Sequence, residues 1–389
     1  MHIMSIDKLD YSSARSEKYC LWMNMPSHHQ RDFIHALHIA GIDLQVRFYG
    51  KVDDRRKIMG WDSEPLLDQY SQYVKPSIDA VEESVPDWMN RIHIIPGTVG
   101  DKFLMSLVKH LIRKKVQWVH WSEDVKPGLN RLIRLPLRRL YGRKIKLYAL
   151  GALAISNQAE KEFVSWGVPV KKIRWLPYAA NPLTHSGNVD DKIKMFIQNR
   201  FAFMFSGALC QRKGTDLLLK AFKIISDRYQ NAVLILIGPD TPDDYYHKFS
   251  EKIGIPKDRV LFRGPISYTQ MGNVLPLCDV FVLPSRYDGW GMVIYEAASM
   301  EKAIIASDRC GATYHMIIDG LNGFRIKADS VGALSKAMEI YLTCPRLSKI
   351  HGIHSKVIAK LFHPRENVDR FLGAMESFLT MKEKSEDTS

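Results

Sequence analysis

The segment at residues 280–298, which reads VFVLPSRYDGWGMVIYEAA, constrains this chain more than any other. A short apolar strand runs into a Pro-Ser turn, an acidic residue follows, and a helix begins after two glycines. Open parallel α/β sheets bind ligands at the carboxyl ends of their strands. Glycines let the backbone approach a bound group, and a helix start offers N–H donors to an anion. Two carboxylates in such a site, Asp288 and Glu296, suit the hydroxyl groups of a sugar.

The order of these residues resembles the acidic-x7-acidic signature of family 4 retaining glycosyltransferases, which have the two-lobed GT-B fold. The chain has Asp288 where that family usually has Glu, and it keeps the glycines, the tryptophan and Glu296. The resemblance implies that Glu296 binds the donor ribose and that Asp288 contacts the donor sugar as a catalytic residue. The alternative is a buried strand-loop-helix with a capping Asp. Further donor contacts are implied for Gly289, Gly291, Met292 and Val293.

A second glycine-flanked loop follows a strand predicted at residues 201–205. The resemblance implies a diphosphate clamp here, normally an Arg directly after Gly207 and a Lys before the next glycine. Lys213 matches, but Ala208 stands where the Arg is usual, so Arg212 is the candidate replacement. The alternative for both cations is a solvated loop. After the next strands, in RVLFRGPI, the resemblance implies nucleobase contacts from Arg263, Gly264 and Ile266.

Polar residues also follow two predicted strands of the N-terminal half. His28 and Gln30 come after the first strand, where the family often has a glycine-rich loop that this chain lacks. We expect them on the acceptor side. His120 and Glu123 follow a strand predicted at residues 116–119, and the resemblance implies that a histidine there faces the donor site. We expect these two to act in catalysis, although a plain structural role is the alternative for all four residues.

The length of 389 residues predicts about two domains. The resemblance implies an α/β GT-B fold, with two Rossmann-like lobes and a cleft between them. We expect an acceptor-side lobe at residues 1–182 and a nucleotide-sugar-binding lobe at 195–365. By analogy, a helix at 366–382 crosses back to the first lobe.

The positive charge is concentrated in the first half of the chain. The whole chain has a net charge of +13, and residues 109–146 hold twelve Lys or Arg against Glu123 and Asp124. Basic residues interleaved with Leu indicate contact with an anionic membrane surface, through a helix that Pro136 should interrupt. The alternative is a solvated amphipathic helix. We expect no nucleic-acid partner, because no nucleic-acid-binding motif accompanies the charge.

The remaining patterns exclude several classes of protein. The five cysteines are scattered and the chain has no D-x-D triplet, so we expect no metal and no cofactor besides the nucleotide-sugar substrate. The sequence contains neither an apolar signal-peptide core nor a stretch of about eighteen apolar residues. We therefore expect a cytoplasmic protein that is peripheral at the inner face of the membrane.

Taken together, the patterns and the resemblance predict a retaining, metal-independent hexosyltransferase. It would move a sugar from a nucleotide-diphosphate donor to a lipid-linked or polysaccharide acceptor in the biosynthesis of a cell-surface glycan such as lipopolysaccharide. Two alternatives remain, a GT-B nucleotide-sugar epimerase and a non-catalytic protein that binds sugar nucleotides or lipid.

Overall fold

In the computed structural model of this chain, the residues described are 11–52, 56–57, 69–97, 100–185 and 187–386. They form two compact units, whose boundary lies between Ala180 and Asn181. Among the described residues, the first unit comprises 11–51, 69–180 and 364–386, and the second comprises 52, 56–57 and 181–363.

Each unit is built on one parallel sheet, as expected for a Rossmann-like lobe. The first sheet has the order β3-β2-β1-β4-β5-β6-β7, and the second has the order β10-β9-β8-β11-β12-β13. The central strands are buried on both faces, which is why they read as continuous apolar runs. The strands are β1 Lys18–Met23, β2 Asp43–Phe48, β3 Ser71–Tyr73, β4 Arg91–Pro96, β5 Trp118–Ser122, β6 Gly151–Ala154, β7 Ile173–Trp175, β8 Phe201–Ser206, β9 Ala232–Ile237, β10 Val260–Gly264, β11 Val280–Leu283, β12 Ala303–Ser307 and β13 Gly323–Ile326.

Helices connect the parallel strands, since a parallel pair needs a crossover connection. As expected, the basic stretch forms two helices, with Pro136 in the first turn of the second. The helices are α1 Ser12–Ser16, α2 His28–Ile39, α3 Ile78–Ser84, α4 Lys102–Arg113, α5 Leu129–Ile133, α6 Leu135–Tyr148, α7 Asn157–Ser165, α8 Asp191–Ile197, α9 Thr215–Arg228, α10 Tyr245–Lys252, α11 Met271–Val274, α12 Met292–Ser299, α13 Thr313–Met316, α14 Val331–Thr343, α15 Arg346–Ala359 and α16 Pro364–Glu386.

The long C-terminal helix α16 belongs to the first unit. The ring of Phe371 packs edge-on against Tyr19 of β1, with 5.1 Å between the ring centroids. The buried Asn367 amide donates a hydrogen bond of 2.6 Å to the carbonyl of Pro177. The aromatic ring of Phe378 lies so close to Gly151 that a Cβ there would come within 2.3 Å of it. A helix from the end of the chain thus completes the apolar core of the first unit.

No helix in the described part of the chain is both long enough and apolar enough to cross a membrane.

Candidate functional site

The candidate site of the second unit lies where β8 and β11 end. These two strands are neighbours and run parallel, with Phe203 beside Val280 and Met204 beside Phe281. Because parallel neighbours end at the same sheet edge, the loops that follow them meet although they are about 75 residues apart. The two glycine-flanked loops singled out in the sequence are therefore in contact.

A glycine makes this close approach possible. Gly214 ends the 3-10 turn Gln211–Lys213 with a left-handed φ of +74° and precedes α9. A Cβ on Gly214 would lie 2.2 Å from the carbonyl oxygen of Pro284. Any larger residue would push apart the loops after β8 and β11, so glycine is required for both its conformation and its size.

The charged side chains of the two loops converge on Asp288. The Lys213 ammonium donates a hydrogen bond to Asp288 Oδ2, and both side chains are about 15% exposed. Arg212 Nη1 lies 3.8 Å from Asp288 Oδ1 and donates a hydrogen bond of 3.1 Å to the carbonyl of Tyr287. Arg212 thus brings a guanidinium beside the lysine in a chain that has Ala208 at the usual arginine position.

The loop that follows the neighbouring strand β12 holds the backbone of Asp288 in place. The Asp288 N–H donates to the carbonyl of Arg309 at 2.9 Å, and the Asp288 carbonyl accepts from Gly311 N–H at 3.1 Å. These bonds form an isolated parallel bridge between Asp288 and Cys310, in the loops that follow β11 and β12. The backbone of Asp288 is consequently held by hydrogen bonds to the neighbouring loop.

Glu296 lies on α12, which begins after Gly291 with its left-handed φ of +88°. Its side chain is buried, and this burial raises the pKa of the Glu296 carboxyl to about 7, against a smaller lowering by the Lys213 ammonium. Met292 and Val293 occupy the first turn of the helix, whose leading N–H groups have no carbonyl partner within the helix. The site therefore combines two carboxylates, two cations and a helix start.

The sequence did not single out Arg286, which connects the loops after β8 and β11 by hydrogen bonds and ion pairs. Its guanidinium binds both oxygens of Asp216, at 2.6 and 2.8 Å, and also binds Asp329 and the carbonyl of Gln211. Its backbone N–H donates to the Arg212 carbonyl at 2.8 Å. The available signal was its place directly after the Pro-Ser turn of β11.

The segment predicted to contact a nucleobase begins with the last two residues of β10, Arg263 and Gly264, and extends to Ile266. The Arg263 side chain binds Asp190 at 2.6 Å, and Asp190 also caps α8. Gly264 has a left-handed φ of +79°, and its carbonyl accepts from Gly238 N–H at 2.9 Å. Ile266 is buried. The Arg263 side chain is thus bound to Asp190 of the second unit. The prediction that this segment contacts a nucleobase therefore concerns its backbone groups.

The environment of His120 differs from the expectation. The strand occupies Trp118–Ser122 instead of residues 116–119, so His120 lies within β5 and not after it. Its ring is fully buried, with Tyr141 Oη 3.2 Å from Nδ1 and Ser122 Oγ 3.0 Å from Nε2, and burial lowers its pKa to about 3. Alternation along the strand directs this ring into the helical layer instead of toward a ligand at the edge.

The other candidates of the first unit lie near strand ends. Glu123 is partly exposed directly after β5, where its carbonyl accepts a hydrogen bond of 3.1 Å from Ser122 Oγ. His28 and Gln30 are partly exposed in the first turn of α2. A small pocket beside them is lined by residues that include Met23, Ser27 and Arg31. The catalytic role of Glu123 and the acceptor-side roles of His28 and Gln30 stay predictions.

The described residues contain no group of three or more His, Cys, Asp or Glu side chains arranged to hold a metal ion. The independence from metal stays a prediction.

The ion pairs that Arg286 forms with Asp216 and Asp329 lead to a test of stability. We expect Arg286→Ala to lower the free energy of unfolding by about 2 kcal/mol, because Asp216 would keep a partly buried charge without its bidentate partner. Urea denaturation measures this loss. Arg325→Ala is the matched control, since it removes a more exposed pair with Asp319 and should cost less than 1 kcal/mol. Equal losses in the two variants would contradict this role of Arg286.

The buried Glu296 leads to a test of pH dependence. Its pKa is about 7 in the folded chain and 4.5 ordinarily, so the folded state binds more protons between these values. Stability should therefore fall as the pH rises from 5 to 8, by about 2–3 kcal/mol from this group. Urea denaturation of Glu296→Gln should lack this contribution. The exposed Glu301→Gln serves as control, and parallel pH profiles for wild type and Glu296→Gln would refute the assignment.

Comparison with known proteins finds a matching family model and several relatives. Residues 189–355 match the family model described as glycosyl transferases group 1. The chain is 27% identical to the putative glycosyltransferase EpsD of Bacillus subtilis, over 49% of each chain. It is 28% identical to the lipopolysaccharide core biosynthesis mannosyltransferase LpcC of Rhizobium leguminosarum bv. viciae, over 38% of this chain and 42% of that one. The chain thus spans about half the length of the curated relatives it matches, or less.

The fold is also similar to that of solved glycosyltransferase structures. The structure of Alr3699/HepE from Anabaena, in complex with UDP and glucose, covers 93% of this chain and matches over its full length. The TM-score is 0.73 at 15% sequence identity. This likeness confirms the predicted two-lobed α/β fold of the GT-B type. The region that holds Lys213, Asp288 and Glu296 thus matches the model of the glycosyl transferases group 1 over residues 189–355.

Proposed function

We propose that this protein transfers a sugar from a nucleotide-diphosphate donor to a hydroxyl group of an acceptor, with retention at the anomeric carbon. One observation carries the proposal. Lys213, Arg212 and Asp288 converge at one sheet edge, in the same domain as the buried Glu296. That combination fits a ligand with a doubly charged diphosphate and several hydroxyl groups.

Each part of the site has a distinct task in this proposal. Lys213 and Arg212 bind the diphosphate, together with the N–H groups at the start of α12. Glu296 accepts hydrogen bonds from the ribose, and Asp288 accepts them from the donor sugar. In the structure Asp288 neutralises Lys213, so a bound diphosphate would take over the ammonium and release the carboxylate for the sugar.

The chemical step follows from the same charges. The bond between the anomeric carbon and the diphosphate oxygen breaks while the acceptor oxygen bonds to that carbon from the same face. The acceptor proton passes to the departing diphosphate oxygen. Negative charge grows on the leaving group during this step, and the fixed cations stabilise it as it develops. Metal independence is part of the proposal, since two cationic side chains supply the positive charge.

The comparisons suggest which substrates to test first. The neighbour HepE was crystallised with UDP and glucose, which makes a UDP-sugar the first donor to examine. LpcC is named for lipopolysaccharide core biosynthesis, which supports a lipid-linked or glycan acceptor in the biosynthesis of a cell-surface glycan. We propose that the chain works on such an acceptor from the cytoplasmic face of the membrane.

The clamp is tested by removing Lys213. We expect Lys213→Ala to lower kcat for release of the nucleoside diphosphate by about a hundredfold, because one donor to the developing negative charge is lost. Lys220→Ala, which removes an exposed lysine from α9, is the control and should keep normal turnover. Near-normal kcat of Lys213→Ala at saturating donor would remove this residue from the chemistry. Incubation with donor alone also distinguishes transfer from epimerisation.

We further propose that the basic segment contacts an anionic membrane through α5 and α6. The apolar side chains that are more than half exposed there are unusually numerous: Leu129, Leu132, Ile133, Leu137, Leu140, Leu147 and Tyr148. Exposed arginines alternate with them, at Arg134, Arg139 and Arg143. Large apolar side chains that interleave with arginines suit the boundary between lipid headgroups and acyl chains. We call these residues the α5–α6 face.

Arg138 does not belong to the α5–α6 face, although it lies in the same sequence run. It is buried, 3.7 Å from the buried Glu162 carboxylate of α7, and it donates to the Arg131 carbonyl at 3.1 Å. Arg131 itself binds the other oxygen of Glu162 at 2.6 Å. These bonds fix α5 and α6 on the first unit, so that the apolar side chains point outward.

The α5–α6 face is tested by changing its exposed arginines. Replacing Arg134, Arg139 and Arg143 by Gln should weaken binding to anionic vesicles by about a hundredfold, because each charge contributes about 1 kcal/mol of attraction. Vesicle co-sedimentation at low salt measures the change.

Three exposed lysines elsewhere in the first unit supply a control with the same change in charge. Replacing Lys51, Lys75 and Lys161 by Gln should leave most of the binding intact. Equal effects of the two triple variants would mean that only net charge matters. Equal binding of the wild type to neutral and anionic vesicles would contradict the electrostatic part of the proposal.

A further inference from the structure

Helix α15 of the second unit has its apolar and polar faces reversed relative to an ordinary surface helix. The side that packs on the protein carries mostly small or polar residues: Ser348, His351, Gly352, Ser355, Ile358 and Ala359. The opposite side presents large aliphatic residues to solvent. Ile350 is 50% exposed, Ile353 58%, Val357 58% and Leu361, in the turn that continues the helix, 55%. We call these four residues the Ile350 stripe.

Hydrogen bonds attach this helix to its unit, in addition to the burial of Ile358 and Ala359. His351 accepts or donates at both ring nitrogens, 2.8 Å from Tyr341 Oη and 3.1 Å from the Gly320 carbonyl. Ser355 Oγ donates to the Asn322 carbonyl at 3.2 Å. A Cβ on Gly352 would lie 2.1 Å from the Glu301 carbonyl, so the helix is pressed closely against the end of α12. The aliphatic side chains of the Ile350 stripe lie on the other side of the helix and remain at least half exposed.

The spacing of the Ile350 stripe is that of a binding face. Its members follow one another at intervals of three and four residues, which places them along a single line on a helix. Isolated exposed aliphatic residues need no explanation, but a continuous row of four indicates a partner.

Charge identifies the kind of partner. Residues 346–361 contain no Asp or Glu, and Lys349, Lys356 and Lys360 recur on one flank of the stripe, where Lys356 also binds Glu301 at 2.6 Å. A second copy of the chain would bring two such positively charged helices together. Long lysine stems beside aliphatic residues can instead extend to anionic headgroups while the aliphatic groups enter the acyl region.

We propose that the Ile350 stripe binds an anionic lipid surface. This contact is separate from the α5–α6 face, because it belongs to the other unit and rests on different residues. It goes beyond the transfer reaction, and it holds or fails whatever the donor proves to be.

The test compares two double variants of the full chain with the same change in charge. Ile353→Asp with Val357→Asp places two carboxylates in the stripe. Ile224→Asp with Ile340→Asp places two carboxylates at exposed isoleucines on α9 and α14 of the same unit. Binding is measured by flotation with vesicles of equal parts phosphatidylglycerol and phosphatidylcholine, and with phosphatidylcholine alone. Melting curves check that both variants are folded.

We expect the stripe variant to bind the anionic vesicles at least tenfold more weakly than the control variant. Equal binding by the two variants would overturn the proposal. It would also be overturned if the wild type forms dimers in solution that the stripe variant does not form, while both bind vesicles equally. That result would assign the stripe to a protein partner. If the stripe variant fails to fold, the double variant Lys349→Gln with Lys360→Gln replaces it in the test. This variant keeps the aliphatic residues, and it should weaken binding to the anionic vesicles but not to phosphatidylcholine alone.

Discussion

The adjacency of β8 and β11 in a parallel sheet is the constraint on which the candidate site depends. Their loops meet only because both strands end at the same edge, and Gly214 lets the loops approach to backbone contact with Pro284. Once the loops touch, the cations of one lie beside the carboxylate of the other. The sheet therefore brings together charges that are far apart in the chain, and it does so with hydrogen-bonded backbone rather than with flexible segments.

The charges in this unit are balanced over a small volume. Asp288 faces Lys213 and Arg212, while Arg286 takes Asp216 and Asp329 on the outer side of the same loops. Each carboxylate thus has a defined cation, and the loops are held from both sides. Glu296 is different, because burial rather than a close cation dominates its behaviour and keeps its pKa near neutrality. A carboxyl group whose pKa is strongly raised by burial is often found at a functional site.

The two exposed apolar faces have different origins. In α6 an ordinary amphipathic helix keeps Tyr141 and Ile145 in the core, and the aliphatic residues of the outer side come in addition. In α15 the packed side is largely polar. Aliphatic residues occupy its outer side, where contact with water would favour polar residues. Buried ion pairing by Glu162 and hydrogen bonding by His351 make these arrangements stable without apolar burial of the whole helix.

Local patterns in the sequence were sufficient to predict many of the parallel strands, the glycine turns and the division of the basic stretch at Pro136, because each depends on neighbouring residues. The strands β3 and β4 were not predicted. The sequence also identified Lys213, Arg212 and Asp288 as candidates for one site, and the structure brings their side chains together. Only the tertiary structure decided which side chains face inward. The strand ends at Ser122 instead of residue 119, which places His120 within β5, with its ring in the aromatic core. The partners of Arg286, Arg138 and His351 come from distant segments, so no local pattern could reveal them. Packing between segments thus determined which of the charged and aliphatic residues stay available to a ligand.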